Sequence, residues 1–485
     1  MIEAPVKMGI STFWVNQRRV SLSLSPSQRV VDLLRRDLSL VGTKEGCREG
    51  DCGACLILWG RREGAQTLYR SVNSCLLPAG EIDGSHILTI EGLSTEGTTP
   101  VQKALEEAGV VQCGFCSPGF VVALTGFLLN SPRLDSSLAR EALGGNLCRC
   151  TGYASLGRGI EALCSLWEKG EFEESGRRGL LARMEWLVAR KVLPPWVPSL
   201  AQALPDPPPP SHRRGALPVG GATDLLVQRE TLSSPLFLSR KPSLQGIRRS
   251  GEFLSLGGGV NLEEFRLSPL VADHFPELST ALLSVASPPI RARATLAGNL
   301  VNASPIGDLS LILLSLGSSL RLVKGNSRRT LPLERFFLAY RKVDLLPGEL
   351  VERILIPLPT EGSRLFFEKV SRRERLDIAS VNLSALLLLK EGHLEEARLA
   401  AGGVAPVPLL LSKTSALLLS SPLSPGLIRE AGETAKGEVT PIDDVRGSAL
   451  YKTHLLGRLV AGVLLRLAPE QAPLLENLVL EEKGG

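Results

Sequence analysis

Val20 to Leu24 alternates apolar and polar residues, and Ile10 to Val15 before it is a β-rich run. Asn16-Gln17-Arg18-Arg19 lies between them, so the pattern predicts an N-terminal hairpin. At Val30 the period changes. Val30, Leu33, Leu34 and Leu38 fall on one helical face, so a helix is expected there. Leu56 to Trp59 and Tyr69 to Val72 read as strands. Helical spacing then dominates, with helices expected over Pro100 to Ala108, Phe120 to Leu129 and Leu138 to Leu143. From about 168 to 215 the pattern breaks. Pro194, Pro195, Pro198, Pro205 and Pro207 to Pro210 cannot sustain a helix or sheet interior, and such a tract behaves as a semi-rigid spacer. A helix-like piece, Leu180 to Val192, interrupts it and is expected to dock on a neighbouring domain. Near the C-terminus Leu383 to Leu389 and Ala397 to Ala401 read as strands and Tyr451 to Leu467 as a helix. Glu481 to Gly485 reads as a frayed tail.

Length and composition bound the rest. A chain of 485 residues is too long for one domain and suggests about three. A hydrophobic content of 44% is ample for packed cores. The net charge of +5 is small for this size, and no basic run is interleaved with aromatics, which argues against nucleic acid. The apolar runs Leu383 to Leu389 and Leu459 to Leu465 are of core length, so no membrane span is expected. No charged and apolar leader is read at the N-terminus. Eight of the nine cysteines fall into two ligand-like sets, which fits a reducing compartment and a cytoplasmic protein.

The first set lies in Gly42-Thr43-Lys44-Glu45-Gly46-Cys47-Arg48-Glu49-Gly50-Asp51-Cys52-Gly53-Ala54-Cys55. Cys47, Cys52 and Cys55 have the spacing C-x4-C-x2-C, and Cys75 follows after nineteen residues. That is the plant-type ferredoxin spacing for a [2Fe–2S] cluster. Structural zinc instead favours paired C-x2-C knuckles or Cys/His sets, and no histidine is near. Gly46, Gly50 and Gly53 are expected to permit left-handed turns and a close approach of backbone to sulfur.

The second set is Cys113, Cys116, Cys148 and Cys150, spaced C-x2-C-x31-C-x-C among the expected helices. A C-x-C pair suits neither a zinc knuckle nor an internal disulfide. It can serve a cluster held between helix ends. Cys164 belongs to neither set and reads as a buried apolar residue.

Two further stretches are candidates for a second cofactor site. Val219-Gly220-Gly221-Ala222-Thr223-Asp224-Leu225 ends a strand-like run in a glycine turn whose N–H groups can cradle a pyrophosphate. No G-x-G-x-x-G fingerprint occurs, which argues against a Rossmann site. Gly257-Gly258-Gly259 reads as a turn between strands. Ala294 to Asp308 alternates small and hydroxyl-bearing residues with Asn and Asp, a composition suited to a ribityl chain, with an ordinary polar loop as the alternative.

Together these motifs resemble the molybdenum hydroxylase, or xanthine oxidase, family. Gly42 to Cys55, Gln112 to Gly119 and Gly145 to Tyr153 match its iron–sulfur signatures in order. The resemblance implies an α+β multidomain chain. A β-grasp [2Fe–2S] ferredoxin domain would span 1–90, a helical-bundle [2Fe–2S] domain 91–167 and a Pro-rich linker 168–215. An α+β FAD-binding domain would span 216–360, and a C-terminal α/β flavoprotein domain 364–470. It implies two clusters, on Cys47, Cys52, Cys55 and Cys75 and on Cys113, Cys116, Cys148 and Cys150. It implies FAD against Val219, Gly220, Gly221, Ala222, Thr223, Asp224 and Leu225 and against Thr295, Gly298, Asn299, Ser304 and Asp308. Val351 and Lys369 match further flavin contacts, and Gln112 matches a glutamine that touches molybdopterin. Ala297 departs from the family, which often has glycine there. Phe366 to Arg373 and Asp377-Ile378-Ala379 match the C-terminal domain. The charged segment Ser371 to Asp377 reads either as a solvated loop or, by resemblance, as a segment near the flavin ring that admits NAD.

No molybdopterin-binding region is read in the chain, so the resemblance implies a molybdopterin-binding large subunit as partner, in an (αβ)2 heterotetramer. Fusion of the iron–sulfur and FAD modules points within the family to the bacterial xanthine dehydrogenase type, with NAD as acceptor. Open beside it are a small subunit serving aldehyde or N-heterocycle oxidation, a stand-alone iron–sulfur flavoprotein reductase, and a non-enzymatic electron-transfer or assembly module. The retained Gly, Asn, Ser and Asp residues argue against the last.

Overall fold

The computed structural model describes residues 9–209, 215–228, 232, 234–373 and 375–471. The tail 481–485 and residue 374 of the charged segment lie outside them. The chain forms two compact units, Met1–Lys241 with Ser287–Ala294, and Pro242–Ala286 with Thr295–Gly485. Both mix helices with sheets. Among the described residues no helix is long and apolar enough to cross a membrane.

In the first unit a five-stranded sheet runs in the order Arg18–Leu24, Gly9–Val15, His86–Leu88, Leu56–Glu63, Gln66–Asn73. Gly9–Val15 pairs in parallel with His86–Leu88, and the other pairings are antiparallel. The expected hairpin forms with a two-residue turn, in which Asn16 takes a φ of 53°. Asn tolerates that left-handed conformation better than most residues. The segment after Val30 starts as helix and widens into a π-type turn over Leu33–Asp37, where the Leu38 N–H donates to the Leu33 carbonyl. Val30, Leu33 and Leu34 bury against Phe13, Ile57, Trp59 and Ile87, so apolar packing decides which face turns inward.

The helical part follows. Pro100–Glu107 opens with a capping box between Thr99 and Gln102, with proline in its first turn. Ser117–Asn130 buries every residue from Gly119 to Leu129. A helix apolar all round belongs at the centre of a bundle. Ser136–Ala142 and Ala154–Cys164 pack around it. The Cys164 side chain is buried, and burial pushes its thiol up to about 11.

The expected linker is corrected by the structure. Lys169–Arg177, Leu180–Ala189 and Val197–Ala203 are helices. Their Phe172, Met184, Leu187, Val197 and Ala201 join the bundle core. The prolines permit this by position: Pro194 and Pro195 lie between helices, and Pro198 lies in a first turn, where a missing N–H costs nothing. Arg183 is 1% exposed and donates to the carbonyls of Leu128, Ser131 and Phe172, closing the C-terminal end of the central helix. Pro205 to Pro209 lie outside helix and strand, as a spacer would.

By compactness the residues 216–360 divide between the two units. Leu217–Val219 and Pro235–Phe237 form a short parallel pair in the first unit, where Val219, Ala222 and Phe237 pack with Val31, Cys55, Cys75 and Leu76. Apolar burial against the ferredoxin-like core assigns the glycine turn to that unit.

The second unit holds a two-stranded sheet, Phe337–Ala339 with Lys342–Val343, and two larger ones. One is antiparallel in the order Ser327–Pro332, Ser319–Lys324, Leu350–Pro357, Phe253–Gly257, Ile247–Ser250. The other runs Arg364–Val370, Val381–Lys390, His393–Gly402, Leu409–Leu410, also antiparallel. Val381–Lys390 is buried from Val381 to Leu388, and Ala449–Leu467 packs on the same core through Leu456, Val460, Val463 and Leu464.

Candidate cluster and flavin sites

The first cysteine loop is a string of tight turns. Arg48, Gly50 and Gly53 take φ values of 60°, 83° and 66°. Gly46 does not. Its role is room, since a Cβ there would stand 2.9 Å from Cys52 Sγ. The N–H groups of Glu49 and Asp51 point at Cys47 Sγ at 3.4 and 3.3 Å. Arg48, in the left-handed region, is held by Asp32 and Glu45. Asn73 Nδ2 donates to the Gly50 carbonyl at 2.9 Å. Arg29 donates to the Arg48 carbonyl at 2.9 Å and also to the carbonyl of Leu226.

The eight cysteines meet as four pairs. Cys47 and Cys52 hydrogen-bond each other, as do Cys55 and Cys75, and Cys116 and Cys148. Cys113 and Cys150 stand 3.6 Å apart. Among the described residues no three such groups converge on one point, as a single metal ion would need. A binuclear cluster makes a different demand, two thiolates on each of two irons. Two pairs per loop fit that donor set. Within pairs the protons are unequally held. The Cys52 thiol, with help from the Glu49, Cys52 and Asp51 N–H groups, draws Cys47 down to about 5 against the effect of burial. Its partner is pushed up, first by that same bond. Cys148 lies near 7, since the Thr151 hydroxyl and nearby N–H groups outweigh burial, and burial pushes Cys116 up to about 12. Metal binding would release the remaining protons.

The two loops stand back to back. Leu147 N–H, one residue before Cys148, donates to the Cys52 carbonyl at 3.0 Å. Asn146 Nδ2 donates to the Gly53 carbonyl at 3.3 Å. A Cβ on Gly53 would stand 2.4 Å from the Gly145 carbonyl oxygen, and one on Gly119 would stand 2.3 Å from that of Gly53. The outer face of the second loop is open. Cys113, Cys150 and Gln112 are exposed, and so are Val111, Phe115, Leu147 and Tyr153 of the same two segments.

The glycine turn packs against Cys55 and Cys75, with which Val219 and Ala222 share one apolar core. Ala222 takes a φ of 61°, unusual outside glycine. A Cβ on Gly221 would meet the Arg293 carbonyl oxygen at 2.0 Å. Thr223 is half-buried, Asp224 exposed, and Leu225 starts a four-residue helix.

The remaining expected flavin residues lie in the second unit. Thr295 caps Leu296–Asn302, its hydroxyl accepting from the Gly298 N–H at 3.1 Å. Leu296 and Ala297 donate their N–H groups to the carbonyls of Val260 and Gly258. A Cβ on Gly258 would stand 2.1 Å from the Val351 carbonyl oxygen and 3.1 Å from the Ala297 methyl. The middle of the glycine triplet therefore does more than turn the chain: it brings Val351 and Ala297 together and makes room for the methyl that replaces a family glycine. Ser304 Oγ accepts from the Ile306 N–H at 3.4 Å. Asp308 accepts from Lys369 Nζ at 2.7 Å and from Asn382 Nδ2 at 2.6 Å, and Lys369 also donates to the Ser284 carbonyl. Burial raises the Asp308 carboxyl, with Lys369 and Asn382 opposing it. Asn299 Oδ1 and Asn382 Oδ1 are buried with no protein partner. Such orphaned acceptors fit a polar ligand rich in N–H and O–H groups, as FAD is.

Sequence reasoning missed Arg29, Asn73, Asn382 and Ser284. Isolated polar residues in apolar surroundings carry no motif. Gly258 was visible as part of a triplet.

Known proteins resemble the chain along most of its length. Residues 89–161 match a family model described as "[2Fe-2S] binding domain". Residues 200–359 match "FAD binding domain in molybdopterin dehydrogenase", and 366–467 match "CO dehydrogenase flavoprotein C-terminal domain". A xanthine dehydrogenase of Drosophila subobscura is 29% identical over 95% of this chain. Aldehyde oxidase 1 of Rattus norvegicus is 28% identical over 97%. The chain is a relative of the molybdenum hydroxylases. It spans 39% and 40% of the length of those two relatives. Among solved structures, a CO dehydrogenase from Oligotropha carboxidovorans aligns with a TM-score of 0.49 and 27% identity, covering 53% of this chain and 90% of that one. This relative of the hydroxylases thus carries [2Fe–2S]-binding and FAD-binding modules.

Proposed function

We propose that the chain is the iron–sulfur and FAD electron-transfer part of a xanthine dehydrogenase-type molybdenum hydroxylase. It would relay electrons from a molybdenum centre on a partner chain, through two [2Fe–2S] clusters, to FAD and then to NAD. Cys113, Cys116, Cys148 and Cys150 would hold the outer cluster and Cys47, Cys52, Cys55 and Cys75 the inner one. The turn Val219 to Leu225, with Thr295, Gly298, Asn299, Ser304, Asp308, Val351 and Lys369, would hold FAD. Bound there, clusters carry single electrons and flavin two, which suits FAD to delivering a hydride equivalent to NAD.

The observation that carries this reading is the order of contacts in the first unit. The second cysteine loop bonds the first through Leu147 and Cys52, and the first shares a core with the glycine turn through Cys55 and Cys75. The chain's residues fix that order by backbone hydrogen bonds and glycine-lined close approaches, which leave little freedom to drift. The exposed apolar residues Val111, Phe115, Leu147 and Tyr153, on the segments that carry Gln112 and the second cysteine set, support docking of a molybdopterin-binding subunit there. An (αβ)2 assembly and a cytoplasmic location belong to the same reading.

A second reading concerns the substrate. Aldehyde oxidases match this chain as closely as xanthine dehydrogenases do, which supports a partner that oxidises aldehydes or N-heterocycles. Co-expression with the partner, followed by turnover of xanthine and of an aromatic aldehyde with NAD, separates the two. A purified chain that oxidises NADH with a dye yet never joins a molybdenum subunit would instead be a stand-alone reductase.

A further inference from the structure

Glu81 is a carboxylate inside the first unit, its side chain 1% exposed. One of its oxygens accepts from Arg293 Nη2 at 2.7 Å and the other from the Ser239 hydroxyl at 2.5 Å. Burial alone would raise this carboxyl, but Arg293, Ser239, Arg61 and Arg240 outweigh it and hold Glu81 ionised. The same Arg293 Nη2 donates to the Gly221 carbonyl at 2.8 Å. The main chain of Arg293 also abuts Gly221, leaving no space for a Cβ. One residue therefore fixes both the carbonyl and the Cα of the central turn glycine.

The geometry has a consequence for anion binding. A turn that receives a pyrophosphate must present N–H groups and keep its carbonyl oxygens away. A carbonyl tied to a buried guanidinium cannot swing toward the ligand. The next residue, Ala222, is left-handed at φ 61°, a conformation that persists only where its surroundings impose it. Buried ion pairs are weak evidence of stabilisation, and fixing one conformation is a better-attested use.

We propose that Arg293, oriented by Glu81, is a positioning residue that holds the Gly220-Gly221-Ala222 turn in its pyrophosphate-receiving form. The proposal rests on the flavin reading above. It assigns the pair to FAD affinity and not to cluster assembly.

The test uses the full chain, stripped of flavin with its iron retained and titrated with FAD by fluorescence quenching. Arg293→Met alone leaves Glu81 buried and uncompensated and is at risk of misfolding. The double variant E81Q/R293M removes both charges, and Arg293→Lys keeps one donor. The double variant should bind FAD roughly tenfold more weakly or worse, the scale of one lost hydrogen bond to a fixed group. Its iron content, both cluster EPR signals and the melting temperature of the flavin-free protein should match the parent. Arg293→Lys should recover part of the affinity. Parental FAD affinity in a folded double variant would overturn the proposal, and so would loss of clusters in step with flavin, which marks a general structural role. A parent chain that takes up no FAD is a separate result and removes the flavin reading together with the proposal.

Discussion

Lys369 places its Nζ 2.7 Å from the Asp308 carboxylate, with the two side chains 5% and 11% exposed. Asn382 and the Ser284 carbonyl complete their hydrogen bonds. Removing one partner of such a pair strands the other. Lys369→Met should destabilise the protein by about 3–5 kcal/mol. Adding Asp308→Asn should return much of that loss. Both variants should hold less FAD than the parent. Denaturant unfolding with flavin quantification checks this; unchanged stability in Lys369→Met would contradict the buried pair.

Gly221 has no room for a side chain. Gly221→Ala must displace the Arg293 carbonyl, 2.0 Å from the new Cβ. The flavin-to-iron ratio of the purified variant should fall well below that of the parent, with both cluster signals intact. A parental ratio would show that the turn does not bind flavin.

His86 gives a pH dependence whose sign is fixed. Its ring is fully buried between the Tyr69 hydroxyl at 2.6 Å and the Asn16 carbonyl at 2.9 Å, and burial lowers its pKa to about 3. An unfolded histidine titrates near about 6.5. Between these values the unfolded chain binds the extra proton, so the contribution is complete above about pH 6.5 and is lost as pH falls toward 3. The loss amounts to roughly 4–5 kcal/mol at the acid end. His86→Gln, which cannot titrate, should flatten the stability profile between about pH 4 and 6.5 relative to the parent. Parallel profiles would contradict a neutral buried ring.

Much of the fold was legible where one physical rule dominated. The alternation of Val20 to Leu24 was readable as a strand because one face meets a core. The apolar run of Phe120 to Leu129 gave a helix because it is buried on every side. The cysteine spacings were legible because ligand chemistry constrains them directly. The linker reading failed because proline was judged by content and not by position: Pro198 starts a helix that buries Val197 and Ala201. The assignment of the glycine turn to the first unit was hidden, since Val219 and Ala222 reach Cys55 and Cys75 only through tertiary packing. Arg293 was hidden for the same reason. Nothing local marks an arginine that will meet a carboxylate 212 residues away.

The central claim is that this chain holds two [2Fe–2S] clusters and one FAD in series. Stepwise reduction of the purified full chain, followed by EPR with iron and flavin analysis, tests it most directly. The account predicts about four iron atoms and uptake of about four electrons per chain, one by each cluster and two by the flavin. It also predicts two distinct cluster signals, one of which disappears in Cys148→Ser while the ferredoxin-type signal remains. Zinc in place of iron, or the loss of both signals from that single substitution, would contradict it.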